Sequence, residues 1–268
     1  MSIYNIIHNM INSYRNDTSL DTRMRNLLKK YNSSKCHGFK PFVITIKSRD
    51  LLSYINYTTS LNEKVNELET ISDIMFKVSK GIYGRFDPHV IYSFENELNV
   101  VFYYNDDGIY TFDGNIHKTI TSLCSFISVE VTNCLRSKGI DLDVCFTGEF
   151  VEFDRDYEVL NYLVWRQMDC KRNTVTLLYK CLDVESSTNV EGVRVDDMLS
   201  IISKQIEIGS IDNLLVGSTV KKYLFYKLCN KPGKQEDIVS RKSVGVEYVT
   251  FSKNFKENLQ KYIINKLC

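Results

Sequence analysis

The sequence predicts an α+β protein of the ferredoxin-like, split βαβ class, with added helices and a C-terminal extension. Two observations predict it. Between residues 42 and 151, apolar segments of strand period and helix period follow one another as strand, helix, strand, strand, helix, strand. Polar turn residues separate them, while glycine (12) and proline (3) are too scarce for long flexible linkers. With 268 residues the chain can bury a sizeable core. It divides into an N-terminal helical extension (1–30), a sheet core (31–155) and a region packed on that core (156–268).

Each element has its own signal. Ile3, Ile6, Ile7, Met10 and Ile11 recur at helical spacing, which predicts a short amphipathic helix that docks on the body or on a partner. A second helix starts at Asp21-Thr22-Arg23-Met24-Arg25 and ends near Tyr31. Phe42 to Ile46 is rich in β-branched residues and reads as the first strand. Leu61, Val65, Leu68, Ile71, Met75 and Val78 make a helix expected to stop before Gly81. Val90–Tyr92 and Val100–Phe102 are short strands around a polar turn at Glu95-Asn96-Glu97, with a further turn at Asn105–Gly108. Ile116, Ile120, Leu123, Ile127, Val131 and Leu135 form the next helix, closed by Gly139. Val144 to Val151 is the fourth strand. Beyond it, Tyr157 to Leu178 keeps helical spacing, and Val193–Gln205 is a further helix. Ile206–Ile208 and Val220–Phe225 read as strands, Lys231–Lys234 as a loop, and Phe255, Leu259, Tyr262 and Ile263 as a closing helix.

Composition narrows the class without naming a function. Hydrophobic residues at 43% and charged residues at 25% are ordinary for a soluble globular protein. No apolar run nears the ~20 residues of a membrane span, and the N-terminus has no secretory core region. The eight cysteines (36, 124, 134, 145, 170, 181, 229 and 268) form no C-x-x-C pair, which predicts reduced thiols in an intracellular compartment. The four histidines (8, 37, 89 and 117) have no zinc-ligand spacing, so no metal ligand is assigned. Net charge of +1 leaves nucleic-acid binding open, since basic residues can cluster. They do so at Arg23–Lys30, Lys171-Arg172, Lys221-Lys222 and Arg241-Lys242, each read first as a solvated face.

One run is more specific. Trp165-Arg166-Gln167-Met168-Asp169-Cys170-Lys171-Arg172-Asn173 lies inside the helical segment, where Arg166, Asp169 and Asn173 project from one face. On spacing alone this is a helix with a polar stripe and the only tryptophan as an anchor. Yet Trp-Arg-Gln-x-Asp-x-x-x-Asn resembles the signature of the histidine-tRNA guanylyltransferase family and its tRNA-repair relatives, the reverse (3′→5′) polymerases. Asp21-Thr22-Arg23-Met24-Arg25 resembles the family's Asp-x-Arg-Met-Lys opening, and Leu215–Val220 its Arg-Lys-Gly-Thr-Val segment. The likeness covers roughly residues 21–230 and implies that the split βαβ core is a polymerase palm.

That resemblance implies two divalent ions, held by Arg-Ile/Leu-Asp-Gly-Arg at the end of the first strand and Tyr-Gly-x-Ser-Asp-Glu in the hairpin. Here the first reads Thr45-Ile46-Lys47-Ser48-Arg49, and the second Tyr92-Ser93-Phe94-Glu95-Asn96-Glu97. A lysine and an asparagine replace two anionic ligands, and Glu97 alone is kept. The paired arginines before the second palm helix fall on Gly114 and Asn115, although Lys118 and Ser125 match. Phe-Asp-x-Arg becomes Phe146-Thr147-Gly148-Glu149, and His-Ile-Asn-Asn becomes Lys171-Arg172-Asn173-Thr174.

The implied function is that of a divergent tRNA guanylyltransferase-like protein, with catalysis lost or weakened and RNA binding, nucleotide binding or an assembly role retained. The alternative is an active 3′→5′ nucleotidyltransferase that uses Mg²⁺ and GTP or ATP on tRNA 5′ ends. A third reading is a ferredoxin-like domain whose likeness is structural only. The resemblance carries a catalytic role onto Glu97 and nucleotide or RNA contact onto Lys47, Ser48, Arg49, Asn96, Lys118, Ser125, Trp165, Arg166, Gln167, Asp169 and Asn173. Implied partners are tRNA or another structured RNA, a nucleoside triphosphate, and further copies of the chain or a larger assembly. Lys47 could also snorkel to solvent from an inert cleft instead of pairing with phosphate.

Overall fold

The β-branched run at Phe42–Lys47 forms the strand from which the sheet is built. The computed structural model describes residues 17–31, 40–57, 60–103, 112, 115–182, 190, 192–229 and 237–265. In chain order its main elements are α1 (Asp17–Tyr31), β1 (Phe42–Lys47), α2 (Arg49–Tyr57), α3 (Leu61–Phe86), β2 (Val90–Phe94) and β3 (Glu97–Phe102). There follow α4 (Ile116–Ser137), β4 (Thr147–Glu152), α5 (Asp156–Lys180), α6 (Val195–Ile202) and α7 (Asp212–Val216). The chain closes with β5 (Ser218–Cys229), β6 (Asp237–Glu247), α8 (Phe255–Asn258) and a π-helical turn at Leu259–Ile264.

β1 pairs antiparallel with β3 on one side and β4 on the other, and β3 pairs with β2. This is the expected split βαβ order, in which the long crossovers place β1 and β3 side by side. β5 then adds to β2 and β6 to β5, giving one six-stranded sheet in the order β4-β1-β3-β2-β5-β6. Successive residues of β1 face opposite ways. Ile44 lies on the side of α4, whose Ile120 and Cys124 crowd Gly148 of β4 together with Ile44. Thr45 faces α5, whose Tyr162 hydroxyl lies 2.5 Å from its Oγ1. The central strands are therefore buried on both faces, and apart from Lys47 at the end of β1 the side chains of β1, β2 and β3 have almost no exposure.

Several elements depart from expectation for identifiable reasons. α3 runs through Gly81 to Phe86 and stops at Asp87, which has φ 48°, just before Pro88. A Cβ on Gly81 would stand 2.8 Å from the ring of Phe126 in α4, so this glycine permits close helix packing. β4 begins at Thr147 and not at Val144. The amides of Val144, Cys145 and Phe146 bond instead to the side chains of Thr132, Asp50 and Ser128. Ile206–Ile208 is no strand: the Ile206 amide closes the end of α6, and Ile208–Ile211 is a 3₁₀ turn. α6 itself is shorter than the expected 193–205. Both α2 and β6 are additions to the expected elements. The expected helix over residues 1–11, the turn at 105–108 and the loop at 231–234 lie outside the described residues.

One backbone position is tightly constrained. Gly217, with φ 73°, links α7 to β5, and a Cβ there would meet the Tyr92 hydroxyl oxygen at 2.7 Å and the Ser93 carbonyl at 2.9 Å. Gly217→Ala is expected to destabilise the fold by about 1–3 kcal/mol, read as a lower urea midpoint at unchanged slope.

Candidate active site

Four charged residues of the resemblance, Lys47, Glu97, Arg166 and Asp169, meet at one end of the central strands. Lys47 ends β1, Glu97 begins β3, and the two are direct cross-strand partners. Both face α5. From that helix Arg166 reaches the Glu97 carboxylate with both arms of its guanidinium, Nε to Oε1 and Nη2 to Oε2, each at 2.6 Å. Lys47 Nζ lies 3.0 Å from Oε2, and Asn99 Nδ2 donates to Oε1 at 2.8 Å. Behind Asn99 a relay fixes its amide. Thr45 Oγ1 donates to Asn99 Oδ1 at 2.8 Å, and the Tyr162 hydroxyl is left to donate to Thr45. Arg166 Nη1 donates to Asp169 at 2.7 Å, one helical turn on.

Trp165 ties this helix to α1 and supports Arg166. Its indole N–H donates to Asp21 of α1 at 2.9 Å, and its ring lies beneath the Arg166 guanidinium at 4.6 Å. Burial by itself would raise the Glu97 pKa. The charges of Arg166 and Lys47 outweigh that and hold the carboxyl below its ordinary range. Burial likewise disfavours the Arg166 charge, and Glu97 more than offsets it, raising the Arg166 pKa. The result is a buried, ionised, bidentate pair with a half-exposed lysine at its edge.

No protein-family model matches the chain, and no curated protein matches it by sequence. Solved structures do match. A bacterial tRNA(His) guanylyltransferase (Thg1)-like protein in complex with ATP superposes with a TM-score of 0.62 at 18% identity, over 91% of this chain and 99% of that one. A bacterial Thg1-like protein in complex with GTP gives 0.59 at 16% identity, over 90% and 98%. The tRNA(His) guanylyltransferase of Saccharomyces cerevisiae gives 0.55 at 15% identity, over 72% and 90%. The chain has the Thg1-like fold.

The metal chemistry implied by the Thg1-like resemblance does not fit the residues present. Both oxygens of Glu97 already accept short bonds from Arg166, with Asn99 and Lys47 adding one each. A divalent ion there would have to displace two cationic side chains and then sit beside them. Asn96 does not substitute. Its Nδ2 donates to the Ser48 carbonyl at 2.7 Å while its own carbonyl accepts from Ser48 N, which ties the hairpin to the start of α2. Among the described residues no three His, Cys, Asp or Glu side chains converge as a metal site.

Other residues marked by the Thg1-like resemblance have structural positions. Ser48 accepts the Leu51 amide at 3.1 Å and so caps α2, while Arg49 is the exposed first residue of that helix. Gln167 holds three backbone groups: its amide donates to the carbonyls of Val216 and Val249, and its oxygen accepts from Phe251. Lys118 and Ser125 lie on α4, across the sheet from Glu97, so the structure does not bring them to the cluster. Asn173 stays near it through Glu95.

Glu95 is the residue that motif matching passed over. It occupies the β2–β3 turn with φ 44°, is only 7% exposed, and its Oε1 lies 3.0 Å from Thr174 Oγ1. Burial, with Glu97 nearby, raises its pKa to about 8 against the favourable contacts of Thr174 and Asn173, so it holds a proton at neutral pH.

Two outcomes follow from these environments. Arg166→Ala leaves a buried carboxylate facing one lysine, and it is expected to cost about 3–5 kcal/mol in urea unfolding. Glu95→Gln is expected to stabilise. The folded protein keeps the Glu95 proton up to about pH 8, whereas an unfolded glutamate releases it near 4.5. Wild-type stability therefore falls as pH rises through that interval, by on the order of 4 kcal/mol from this group. The gain in melting temperature of Glu95→Gln over wild type is expected to be small at pH 4 and largest above pH 8.

Proposed function

We propose that the chain is a divergent tRNA(His) guanylyltransferase-like protein that keeps nucleotide and RNA 5′-phosphate binding while metal-dependent 3′→5′ addition is lost or greatly weakened. The observation that carries this reading is the saturation of Glu97, the one retained acidic position, by Arg166, Lys47 and Asn99. Carboxylates that would bind magnesium are here replaced by groups that bind anions. Lys47 supports the binding half of the reading. Its side chain is 43% exposed, and an ammonium offers three donors, only one of which Glu97 requires. Arg49 stands two residues away at the exposed start of α2 and supplies a second cation for a phosphate chain.

In this reading Lys47 and Arg49 contact phosphate, while Asp169 and Asn173 form the rim. Ser48 and Asn96 fix the start of α2, Trp165 and Arg166 hold Glu97 and α5 in place, and Gln167 anchors that helix to the backbone at Val216, Val249 and Phe251. The similar solved structures hold ATP and GTP, which favours a nucleoside triphosphate as the ligand here, with a tRNA 5′ end as the polymeric one. A role inside a larger assembly is compatible with the same binding.

The chain is expected to incorporate no labelled GTP into 5′-activated tRNA in Mg²⁺, yet to bind triphosphate equally in Mg²⁺ and in EDTA. Lys47→Ala should weaken that binding about tenfold. Incorporation that Glu97→Ala abolishes would overturn the reading in favour of an active nucleotidyltransferase.

A further inference from the structure

A cleft of about 300 Å³ opens where the β2–β3 turn meets α2, α5 and α6, and none of Lys47, Glu97 and Arg166 lines it. Leu52, Leu177 and Met198 give it an apolar wall. Two polar groups of its lining are unanswered among the described residues. Arg172 is exposed and makes no ion pair there. Glu95 is only 7% exposed, and its Oε2 has no hydrogen-bond partner. Its other oxygen, Oε1, lies 3.0 Å from Thr174 Oγ1, which is in turn 3.3 Å from the Leu214 carbonyl. A hydroxyl has one proton to give. With that proton on Leu214, the proton of Glu95 sits on Oε1 and is donated to Thr174, which leaves Oε2 as a bare acceptor. An ionised Glu95 offers the same acceptor. In either state the cleft calls for a donor at Oε2 and an anion at Arg172.

We propose that this cleft binds a free apolar α-amino acid, its side chain against Leu52, Leu177 and Met198, its ammonium on Glu95 and its carboxylate on Arg172. Each part of such a ligand answers a group that the cleft leaves open. A fatty or aromatic acid would answer Arg172 but not Glu95. An aliphatic amine would answer Glu95 but not Arg172, and a bare nucleobase brings no charge to the guanidinium. The lining also places these groups together. Arg172, Asn173, Thr176 and Leu177 follow at helical spacing on α5, so the cation and part of the apolar wall share one face, while Glu95 comes from the β2–β3 turn. A volume of about 300 Å³ is at the small end for ligand clefts, which suits a ligand the size of one amino acid. The site is independent of phosphate binding at Lys47 and assigns a use to two residues, Glu95 and Arg172, that the motif resemblance does not mark.

Calorimetric titration of the full chain with L-methionine, L-leucine, glycine, N-acetyl-L-methionine and L-methioninamide tests this. Methionine and leucine are expected to bind, with glycine, which lacks the side chain, about tenfold weaker or more. N-acetylmethionine lacks the ammonium and methioninamide the carboxylate, so each should also lose about tenfold. Arg172→Ala should bring methionine down to the affinity of methioninamide and leave methioninamide unchanged. Thr176→Phe, which fills the cleft from a half-buried position, should weaken both ligands at an unchanged circular-dichroism spectrum. Absence of methionine and leucine binding, or wild-type methionine affinity in Arg172→Ala, would overturn the proposal. Triphosphate affinity, measured on the same variants, is expected to stay at the wild-type value. If Arg172→Ala instead loses triphosphate and keeps methionine, the cleft belongs to the nucleotide site and the amino-acid proposal falls.

Discussion

The bidentate pair between Arg166 and Glu97 sits at the point where helix α5 crosses the two central strands, and the local structure is arranged to keep it. Each partner would be costly to bury alone. The guanidinium has its three nitrogens answered by Glu97 and Asp169, and its face rests on Trp165. The carboxylate has its remaining lone pairs answered by Asn99 and Lys47. Asn99 is oriented through Thr45 by Tyr162, which comes from the same helix as Arg166. The hydrogen bonds therefore form a closed circuit between sheet and helix. A circuit of this kind fixes register, since a one-residue slip of β3 would turn Glu97 away from α5.

That circuit also determines what the palm end of the sheet can bind. A metal-dependent polymerase site concentrates negative charge so that divalent ions can carry positive charge to a triphosphate. In this chain the protein supplies the positive charge itself. Arg166 neutralises Glu97 from inside, and Lys47 remains at the surface with donors to spare. In the proposed function phosphate attraction survives such an exchange, because it needs only cations near the ligand. Activation of a hydroxyl nucleophile is what the proposed function gives up, because an ammonium or guanidinium does not acidify a bound oxygen in the way a metal does.

Most of the fold was legible because its core elements have strong periods. β1 and the helices α3, α4 and α5 bury regular apolar sets, and those sets appear in the sequence without ambiguity. What escaped notice was local or polar. Gly81 reads as a helix stop until Phe126, 45 positions later, is seen to need the space of its missing Cβ. The strand β6 contains Ser240, Arg241, Lys242 and Ser243 and owes its pairing to β5. α2 is short and follows a strand at once, so its cap at Ser48 was hidden within a motif. At the site, the sequence announced the replacement of two carboxylates. It did not announce that Arg166 would take the third, since the pair joins residues 69 apart in the chain.

Glu95 and Glu97 show how environment separates two carboxyls that the sequence places almost together. Two residues apart across a turn, they meet different parts of α5. Glu97 faces Arg166 and stays ionised, while Glu95 lies against Thr174 and holds a proton. Were both ionised, the hairpin tip would carry two buried negative charges against Arg166 and Lys47, and the end of the palm would have no net attraction for phosphate. With Glu95 neutral, the two cations exceed Glu97 by one charge before Asp169, and Asp169 stands on the far arm of Arg166 from the strand end. The excess therefore lies at Lys47. Burying one acid as a neutral group is thus the step that leaves net positive charge at this end of the sheet, the charge on which the proposed phosphate binding rests.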